Sequence, residues 1–165
     1  VINFTRNWLK EGLIDRAVTR DLDWGIEIPR EGYENKRMYV WFEAVMGYYS
    51  ASVHWAKNQG KPEEWKKWWE NEDSEHYYFM AKDNIPFHTI IWPAMLSGCG
   101  YKLPYDVPAN EYLLLDSSQF SKSRRHAIWI PDYLDRYDPE LLRFYLASIM
   151  PEQKDANFTL SLIHI

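Results

Sequence analysis

Short apolar runs that alternate with helical patterns are the feature that most constrains the fold of this chain. Three runs have the length and β-rich composition of strands buried on both faces: Met38–Phe42, Tyr77–Met80 and Asn110–Leu115. Apolar residues at helical spacing follow the first run over residues 43–57, and another helix is predicted from Pro86. This order is typical of an α/β protein with a parallel, doubly wound sheet.

Three strands make only about half of a Rossmann-type domain. A first helix is predicted to stop at Gly12, a proline-closed loop over 20–29, and a kink at Pro93. The N-cap, proline and early acid of Asp138-Pro139-Glu140 predict a last long helix. A further amphipathic helix is expected to begin at Asn157. We therefore predict the second half of a Rossmann-type sheet followed by the start of an α-helical linker region.

Composition limits the class of protein. The chain has 165 residues and a formal net charge of −5, which argues against a free-standing nucleic-acid binder. Its single cysteine, Cys99, excludes an internal disulfide and a multi-cysteine zinc site, and fits a cytoplasmic setting. No apolar run approaches 18 residues, so we expect neither a membrane span nor secretion. Aromatic residues make up 17% of the chain, as core and pocket walls or as stacking platforms.

A cationic loop, Phe120–Arg125, follows the third predicted strand after the polar turn Asp116–Gln119. Its residues read Phe-Ser-Lys-Ser-Arg-Arg. A buried strand that ends in hydroxyls and fixed positive charge places donors at the carboxyl edge of a sheet, where α/β proteins hold phosphates. The alternative interpretation is a solvated surface loop.

Four segments together resemble the methionyl-tRNA synthetases, which are class I aminoacyl-tRNA synthetases. The first two are similar to that family's Arg-Asp-Leu-x-Trp-Gly and Tyr-Val-Trp-Phe-Asp-Ala-Pro-Ile-Gly-Tyr motifs, and the last two to its Phe-x-Gly-Lys-Asp-x-x-x-Phe-His and Lys-Met-Ser-Lys-Ser motifs. In this chain they are residues 20–25, 39–48, 79–88 and 119–123. The resemblance covers roughly residues 3–159, and the motifs occur in the family's order.

The resemblance implies an internal fragment of the catalytic domain. The family's His-Ile-Gly-His-type motif and its zinc-bearing insertion would lie upstream, and its anticodon-binding domain downstream. Residues 1–125 would form the second half of the catalytic Rossmann domain, and 126–159 a helical stem. Residues 160–165 read as a non-native tail, because Leu-Ser-Leu-Ile-His-Ile resembles a translated sequencing adapter.

Methionine–tRNA ligase activity is what this resemblance implies. The enzyme activates L-methionine with ATP and Mg²⁺ to methionyl-adenylate and transfers it to tRNA(Met) in the cytoplasm. Zinc would belong only to the missing insertion, and no metal site is expected in this chain. The fragment alone is expected to be inactive, because half of its ATP site is missing, and tRNA would be bound mainly by the absent regions.

The resemblance assigns ATP binding to Ser121, Lys122, Ser123 and Asp83. Lys122 would be the catalytic residue, because an ammonium on a loop can close over the triphosphate and neutralise growing charge. Asp83 would accept from the ribose hydroxyls, or else cap a helix. Arg124 is either an assistant or a surface charge.

Five residues are predicted to bind methionine: Trp41, Ala44, Tyr48, Ile85 and His88. The i, i+3, i+7 spacing of the first three places them on one helical face if Trp41 begins the first turn of that helix. Aromatic faces make favourable contacts with a thioether sulfur. Ile85 and His88 would form the opposite wall. The alternative is ordinary core packing, with His88 as a satisfied core histidine.

Several residues depart from the family's pattern. Gln119 replaces the first lysine of the cationic motif, Glu43 an aspartate, Val45 a proline and Ala81 a glycine. Arg125 and His126 occupy the region where the family carries glycine. These changes bear on ATP affinity and loop mobility. Two other functions remain open: a class I synthetase for another aliphatic amino acid, and a non-catalytic nucleotide- or RNA-binding module of the same fold.

Overall fold

The computed structural model describes residues 1–160, which fall into two compact units. The first unit consists of Val1–Tyr78 and Asp83–Pro108. The second consists of Phe79–Lys82 and the segment that begins at Ala109. Both helices and strands are present, so the predicted α/β class is confirmed. Of the predicted tail, Leu160 is described, and residues 161–165 lie outside the described residues.

Four α-helices and one antiparallel strand pair build the first unit. The helices are α1 (Ile2–Glu11), α2 (Val40–Asn58), α3 (Lys66–Trp69) and α4 (Trp92–Cys99). The strands are β1 (Thr19–Asp21) and β2 (Lys36–Met38), paired in the register Thr19↔Met38. Helix α1 ends before Gly12, as predicted. The predicted loop over 20–29 is wrong at its start, because Arg20 and Asp21 pair with Arg37 and Lys36.

The predicted strand Met38–Phe42 is wrong over most of its length. Only Met38 lies in a strand; Tyr39 is extended, and α2 begins at Val40. A short continuous apolar run does not distinguish a strand from the start of a helix, and here the helical spacing of the following residues extends back into the run. Trp41 therefore lies in the first turn of α2, as the predicted arrangement of Trp41, Ala44 and Tyr48 required.

The core of the first unit lies among aromatic side chains. Trp69, Tyr78 and Trp92 are all buried, and the indole Nε1 of Trp92 donates to the hydroxyl of Tyr78 at 2.9 Å. Trp69 and Trp92 meet edge to face, with ring centroids 5.9 Å apart. Edge-to-face contact adds to the free energy gained from burying these large rings. These three aromatic residues therefore form core, as one of the two interpretations expected, whereas others such as Trp24 are exposed.

A π-helical turn, Phe87–Ile91, precedes α4 in place of one kinked α-helix. Pro93 lies in the first turn of α4, where its missing N–H costs least. Helix α4 ends at Gly100, which has φ 71° and donates its N–H to the carbonyl groups of Leu96 and Ser97. Such a left-handed residue is the usual end of a helix.

The second unit has a parallel strand pair and a three-stranded sheet. Strands β3 (Met80–Ala81) and β4 (Ala109–Asn110) are parallel. A 3₁₀ turn, Lys82–Asn84, follows β3, and its last two residues belong to the first unit. The sheet has the order β6 (Ser118–Gln119), β5 (Leu113–Leu115) and β7 (Ala156–Phe158), with β5 parallel to β7. Helices α5 (Ile130–Leu134) and α6 (Pro139–Ser148) also belong to this unit. The predicted N-cap Asp138 accepts from the N–H of Glu140 at 2.8 Å.

Strand β7 contradicts the predicted helix beginning at Asn157. Residues Ala156, Asn157 and Phe158 pair with Leu113, Leu114 and Leu115 of β5. The pairing partner is more than 40 positions away in sequence, so no local pattern could reveal it. The Phe158 side chain is buried, and its ring packs against Tyr145 of α6 at 5.5 Å.

A charged cluster holds the beginning of β7. The ammonium of Lys82 forms an ion pair with Glu111 and lies 3.3 Å from Oδ1 of Asp155. It also lies 4.0 Å from the centre of the Tyr112 ring. The same Asp155 oxygen accepts from the N–H of Tyr112 at 2.9 Å, and this hydrogen bond is the main reason why the pKa of Asp155 is lowered. Lys82, which the sequence left without a role, thus joins β3 to the segment before β7.

Within residues 1–160, none of the helices is both long and apolar enough to cross a membrane.

Candidate functional site

Two of the residues predicted to bind methionine touch each other directly in the first unit. The hydroxyl of Tyr48 lies 2.9 Å from Nε2 of His88, and their rings are 5.6 Å apart. Tyr78, which packs against both rings at 5.2 Å and 5.7 Å, closes a three-ring cluster. Tyr48 is 44% exposed and His88 only 4%, so the tyrosine presents the accessible side of this cluster.

Hydrogen bonds determine the tautomer of His88. Its Nδ1 lies 2.9 Å from the backbone carbonyl oxygen of Asn84, which can only accept, so Nδ1 carries the proton. Burial lowers the pKa of His88, although the bond to the Asn84 carbonyl acts in the opposite direction. The neutral ring therefore accepts at Nε2 from the hydroxyl of Tyr48. The oxygen lone pairs of Tyr48 are left free to accept from another group.

Trp41 joins this region through Phe87. The two rings stack with centroids 5.4 Å apart and an angle of 26° between their planes. Phe87 directly precedes His88 in the π-helical turn, so α2 and this turn hold both aromatic pairs. Ile85 is 4% exposed, whereas Ala44 is exposed on α2. The binding of methionine by these five residues stays a prediction.

An apolar cavity of about 480 Å³ lies beside Phe42 and Pro86 in the first unit. The guanidinium of Arg16, which lines it, lies 5.5 Å from the Trp8 ring centre and 5.6 Å from that of Phe87. Phe87 thus contacts Trp41 and Arg16 alike. None of the five predicted methionine-binding residues lines this cavity, so it marks a separate surface.

The cationic loop has a defined conformation in the second unit. Ser121 and His126 exchange two backbone hydrogen bonds, of 2.9 Å and 3.0 Å, which close the loop. The hydroxyl oxygens of Ser121 and Ser123 are 3.3 Å apart, and the N–H of Arg124 reaches Oγ of Ser121 at 3.4 Å. Arg125 has φ 54°, in the left-handed region that glycine adopts freely. The loop thus keeps a glycine-like bend although the glycine is replaced.

Lys122 and Ser121 are among the residues that line a groove of about 460 Å³. Its other walls are mainly apolar and include Trp129 and Ile130. Lys122 is exposed and forms no ion pair with any residue of the described part of the chain. An ammonium held this way is available to an anion, which is what phosphate binding requires.

Asp83 and the three loop residues predicted to bind ATP lie in different units. Asp83 is exposed in the 3₁₀ turn after β3 and belongs to the first unit. Ser121, Lys122 and Ser123 belong to the second. The assignment of all four residues to ATP stays a prediction.

Sequence reasoning missed three residues that shape these regions. Asn84 sets the tautomer of His88 through its carbonyl group, and its Oδ1 is buried without a hydrogen-bond partner. Phe87 links Trp41 to the histidine turn. His126 closes the cationic loop. None of these three roles carried a usable signal in the sequence, because each depends on a contact that exists only in the folded chain.

Residues 1–160 contain no group of three or more His, Cys, Asp or Glu side chains placed to hold a metal ion.

Sequence comparison places the chain beside a translation family. The profile of the family described as tRNA synthetases class I (M) matches residues 1–164. The methionine–tRNA ligase of Dehalococcoides mccartyi strain 195 is 60% identical over 160 residues, which is 96% of this chain and 29% of that protein. The same ligase of Thermomicrobium roseum is 56% identical over 161 residues, again 96% of this chain and 28% of that protein. The chain therefore spans less than a third of the length of these curated relatives.

Structural comparison gives the same fold. Mycobacterium tuberculosis methionyl-tRNA synthetase bound by methionyl-adenylate aligns with a TM-score of 0.73 at 22% identity, over 98% of this chain and 30% of that one. Its free form aligns with a TM-score of 0.67 at 21% identity, over 98% and 29%. The Rossmann-like fold expected from the order of strands and helices is confirmed.

Proposed function

We propose that the chain forms part of a methionine–tRNA ligase. It belongs to the family described as tRNA synthetases class I (M). The identity of 60% to a methionine–tRNA ligase over 96% of the chain carries this proposal. The Tyr48–His88 pair and the closed cationic loop support it, because they supply a neutral aromatic wall and a free ammonium.

The reaction proposed for the whole enzyme has two steps. The carboxylate of L-methionine attacks the α-phosphate of ATP, which forms methionyl-adenylate and releases pyrophosphate. The 3′ end of tRNA(Met) then takes the methionyl group and AMP leaves. No covalent bond to the protein is needed, so the residues act by positioning the reactants and neutralising charge. Mg²⁺ is proposed to accompany ATP, because phosphoryl oxygens carry much of the developing charge.

Methionine is proposed to lie against the aromatic residues of the first unit. Trp41 and Tyr48 offer ring faces, with which a thioether sulfur makes favourable contacts. The buried, neutral His88 adds no charge, which suits an uncharged side chain. Ala44 and Ile85 are proposed to complete the pocket, the first by its small volume on α2 and the second by its apolar surface.

ATP is proposed to bind through Lys122, Ser121, Ser123 and Asp83. Lys122 is the residue proposed to stabilise the transition state, because its ammonium can follow the growing charge on the phosphate oxygens. The two serine hydroxyls can donate to phosphate, and the Asp83 carboxylate can accept from the ribose hydroxyls. Gln119 supplies no charge, so Lys122 would carry the electrostatic contribution of this motif alone.

The domain division follows from the same proposal. Residues 1–125 would belong to the catalytic domain of a cytoplasmic enzyme, and 126–159 to the helical stem. Most contacts with tRNA(Met) would come from parts of the enzyme that these residues do not include. Because these residues span only 29% of a matched ligase, we propose that they hold half of the ATP site and show no pyrophosphate exchange on their own.

Methionine-dependent exchange of pyrophosphate into ATP tests the proposal. The protein would be the full-length enzyme encoded around this sequence, with isoleucine, leucine and valine as competing substrates. We expect exchange with methionine to exceed exchange with each of the others by at least about tenfold. Equal or greater exchange with another aliphatic amino acid would assign the chain to a different synthetase.

A non-catalytic nucleotide-binding role is the second candidate, and Gln119 is the observation that favours it. Loss of one of two lysines in the motif removes a charge that could act in the transition state. Binding of ATP by the full-length protein, with no exchange for any amino acid, would favour this role over the ligase.

A further inference from the structure

His126 closes the cationic loop through two backbone hydrogen bonds and makes a third with its side chain. Its N–H and carbonyl group bond to the carbonyl group and N–H of Ser121, at 3.0 Å and 2.9 Å. Its side chain leaves the loop altogether: Nε2 lies 2.8 Å from the backbone carbonyl oxygen of Leu115 in β5. A carbonyl oxygen can only accept, so Nε2 carries a proton and donates. The loop therefore has a side-chain anchor on the sheet in addition to its backbone closure.

The acceptor at Leu115 is itself held firmly. Leu115 is only 6% exposed and pairs with Ser118 of β6 and Phe158 of β7. The four residues between the closing pair, in contrast, are all exposed: Lys122, Ser123, Arg124 and Arg125. The His126 side chain thus connects the buried end of β5, at Leu115, to an exposed segment in which the Lys122 ammonium forms no ion pair with a described residue.

We propose that His126 is a positioning residue for Lys122. By fastening the end of the cationic loop to β5, it holds Lys122 in one loop conformation and reduces the freedom that phosphate binding would otherwise have to remove. The hydrogen bond to Leu115 thereby restrains a loop whose central residues, 122–125, are exposed. The inference rests on the proposed function, since Lys122 is taken to act on the triphosphate.

Three substitutions test whether the hydrogen bond from His126 to Leu115, and not the histidine itself, positions the loop. His126→Ala removes the donor. His126→Gln keeps an N–H₂ group at about the distance of Nε2, whereas His126→Asn places its N–H₂ near the position of Nδ1, too short to reach Leu115. Glutamine and asparagine are both neutral amides, so they form a matched pair that differs in reach.

The full-length enzyme would be measured in two ways. Steady-state pyrophosphate exchange gives kcat/KM for ATP and KM for methionine. Hydrogen exchange read by mass spectrometry gives the protection of the segment 118–128. We expect kcat/KM for ATP to fall about tenfold in the alanine and asparagine variants, with KM for methionine unchanged. The same two variants should exchange amide hydrogens faster, and the glutamine variant should stay within about twofold of the wild type in both measurements.

The outcomes differ for the two proposals. A wild-type enzyme without methionine-dependent exchange would reject the proposed function, and the positioning role with it. An active wild type whose alanine variant keeps its kcat/KM for ATP would overturn the positioning role alone. So would a folded glutamine variant as impaired as the alanine variant, because the hydrogen bond would then not be the cause.

Discussion

The hydroxyl of Tyr48 donates to Nε2 of His88 across 2.9 Å, and Nδ1 of that ring donates to the backbone carbonyl group of Asn84. Helix α2 and the π-helical turn are thereby joined at the point where we propose methionine to bind. Since both nitrogens of the buried ring are occupied, the histidine cannot change its tautomer without losing a bond. The pair therefore has one arrangement at neutral pH.

Tyr48→Phe should raise KM for methionine about tenfold in the full-length enzyme and lower kcat less. The phenyl ring keeps the aromatic contact but leaves Nε2 of the buried histidine without a donor, which disturbs the wall of the pocket. Pyrophosphate exchange at varied methionine concentration measures this effect. Tyr105→Phe is the matched control, because Tyr105 is 62% exposed and packs against Tyr77. Equal KM values in the two variants would contradict the assignment of Tyr48 to the pocket.

Stability should fall when the pH is lowered from 7.5 to 5. Burial keeps the pKa of His88 below its ordinary value of 6.5, so in this range the unfolded chain binds more protons than the folded one. The stabilisation is fully present above about 6.5 and is lost as the pH falls towards and through the folded pKa. Urea unfolding at several pH values gives the free energy of unfolding, and from it the slope of stability against pH.

His88→Gln should reduce that slope of stability against pH, whatever it does to stability at pH 7.5. His54→Gln is the control, since it makes the same change at an exposed position of α2, and we expect it to reduce the slope less than His88→Gln does. A slope that survives His88→Gln unchanged would show that other groups cause it.

Lys122→Ala should lower pyrophosphate exchange by about two orders of magnitude, as expected when one donor to the transition state is removed. KM for methionine should stay the same, because the lysine is proposed to act on phosphate. Lys154→Ala serves as the comparison, since Lys154 is an exposed lysine of the same unit. Unchanged exchange in the Lys122→Ala variant would contradict the proposed role of Lys122, although it would leave the fold assignment as it is.

Arg125→Gly should stabilise the full-length protein or leave its stability unchanged, within about 1 kcal/mol. Arg125 has φ 54°, a conformation that costs a residue with a side chain about 1–2 kcal/mol. Glycine avoids this cost but loses more entropy on folding, so the two effects largely cancel. Arg124→Gly, whose position does not have a positive φ, should be the more destabilising change in thermal unfolding. The reverse order would exclude strain at Arg125.

Local signals in the sequence predicted the elements whose causes are local. The Asp138 cap and the stop of α1 before Gly12 depend on neighbours within a few residues, and both are present. The run after Met38 failed because strand and helix starts share the same apolar composition. The prediction of a helix from Asn157 failed for a different reason. This segment is the strand β7, and only its distant partner β5 determines that it is extended.

The candidate site divides in the same way. Resemblance to a family identified Tyr48, His88 and Lys122 as candidate site residues, because each occupies a position in one of the family's motifs. It could not show that the Asn84 carbonyl sets the tautomer of His88, or that His126 reaches Leu115, because these contacts exist only after the chain has folded. Backbone carbonyl groups belong to every residue and carry no signature in a sequence.

Strand β7 also sets a time order on the ribosome. Oδ1 of Asn157 accepts from the N–H of Ser117 at 2.6 Å, and the carbonyl of Phe158 accepts from Asp116 at 3.1 Å, so the turn before β6 is tied to a segment 40 residues later. At bacterial to eukaryotic speeds of synthesis, that delay is about 2 to 8 s. During this interval the apolar edge of β5 has no partner on that side, and the nascent chain would need protection from association through it.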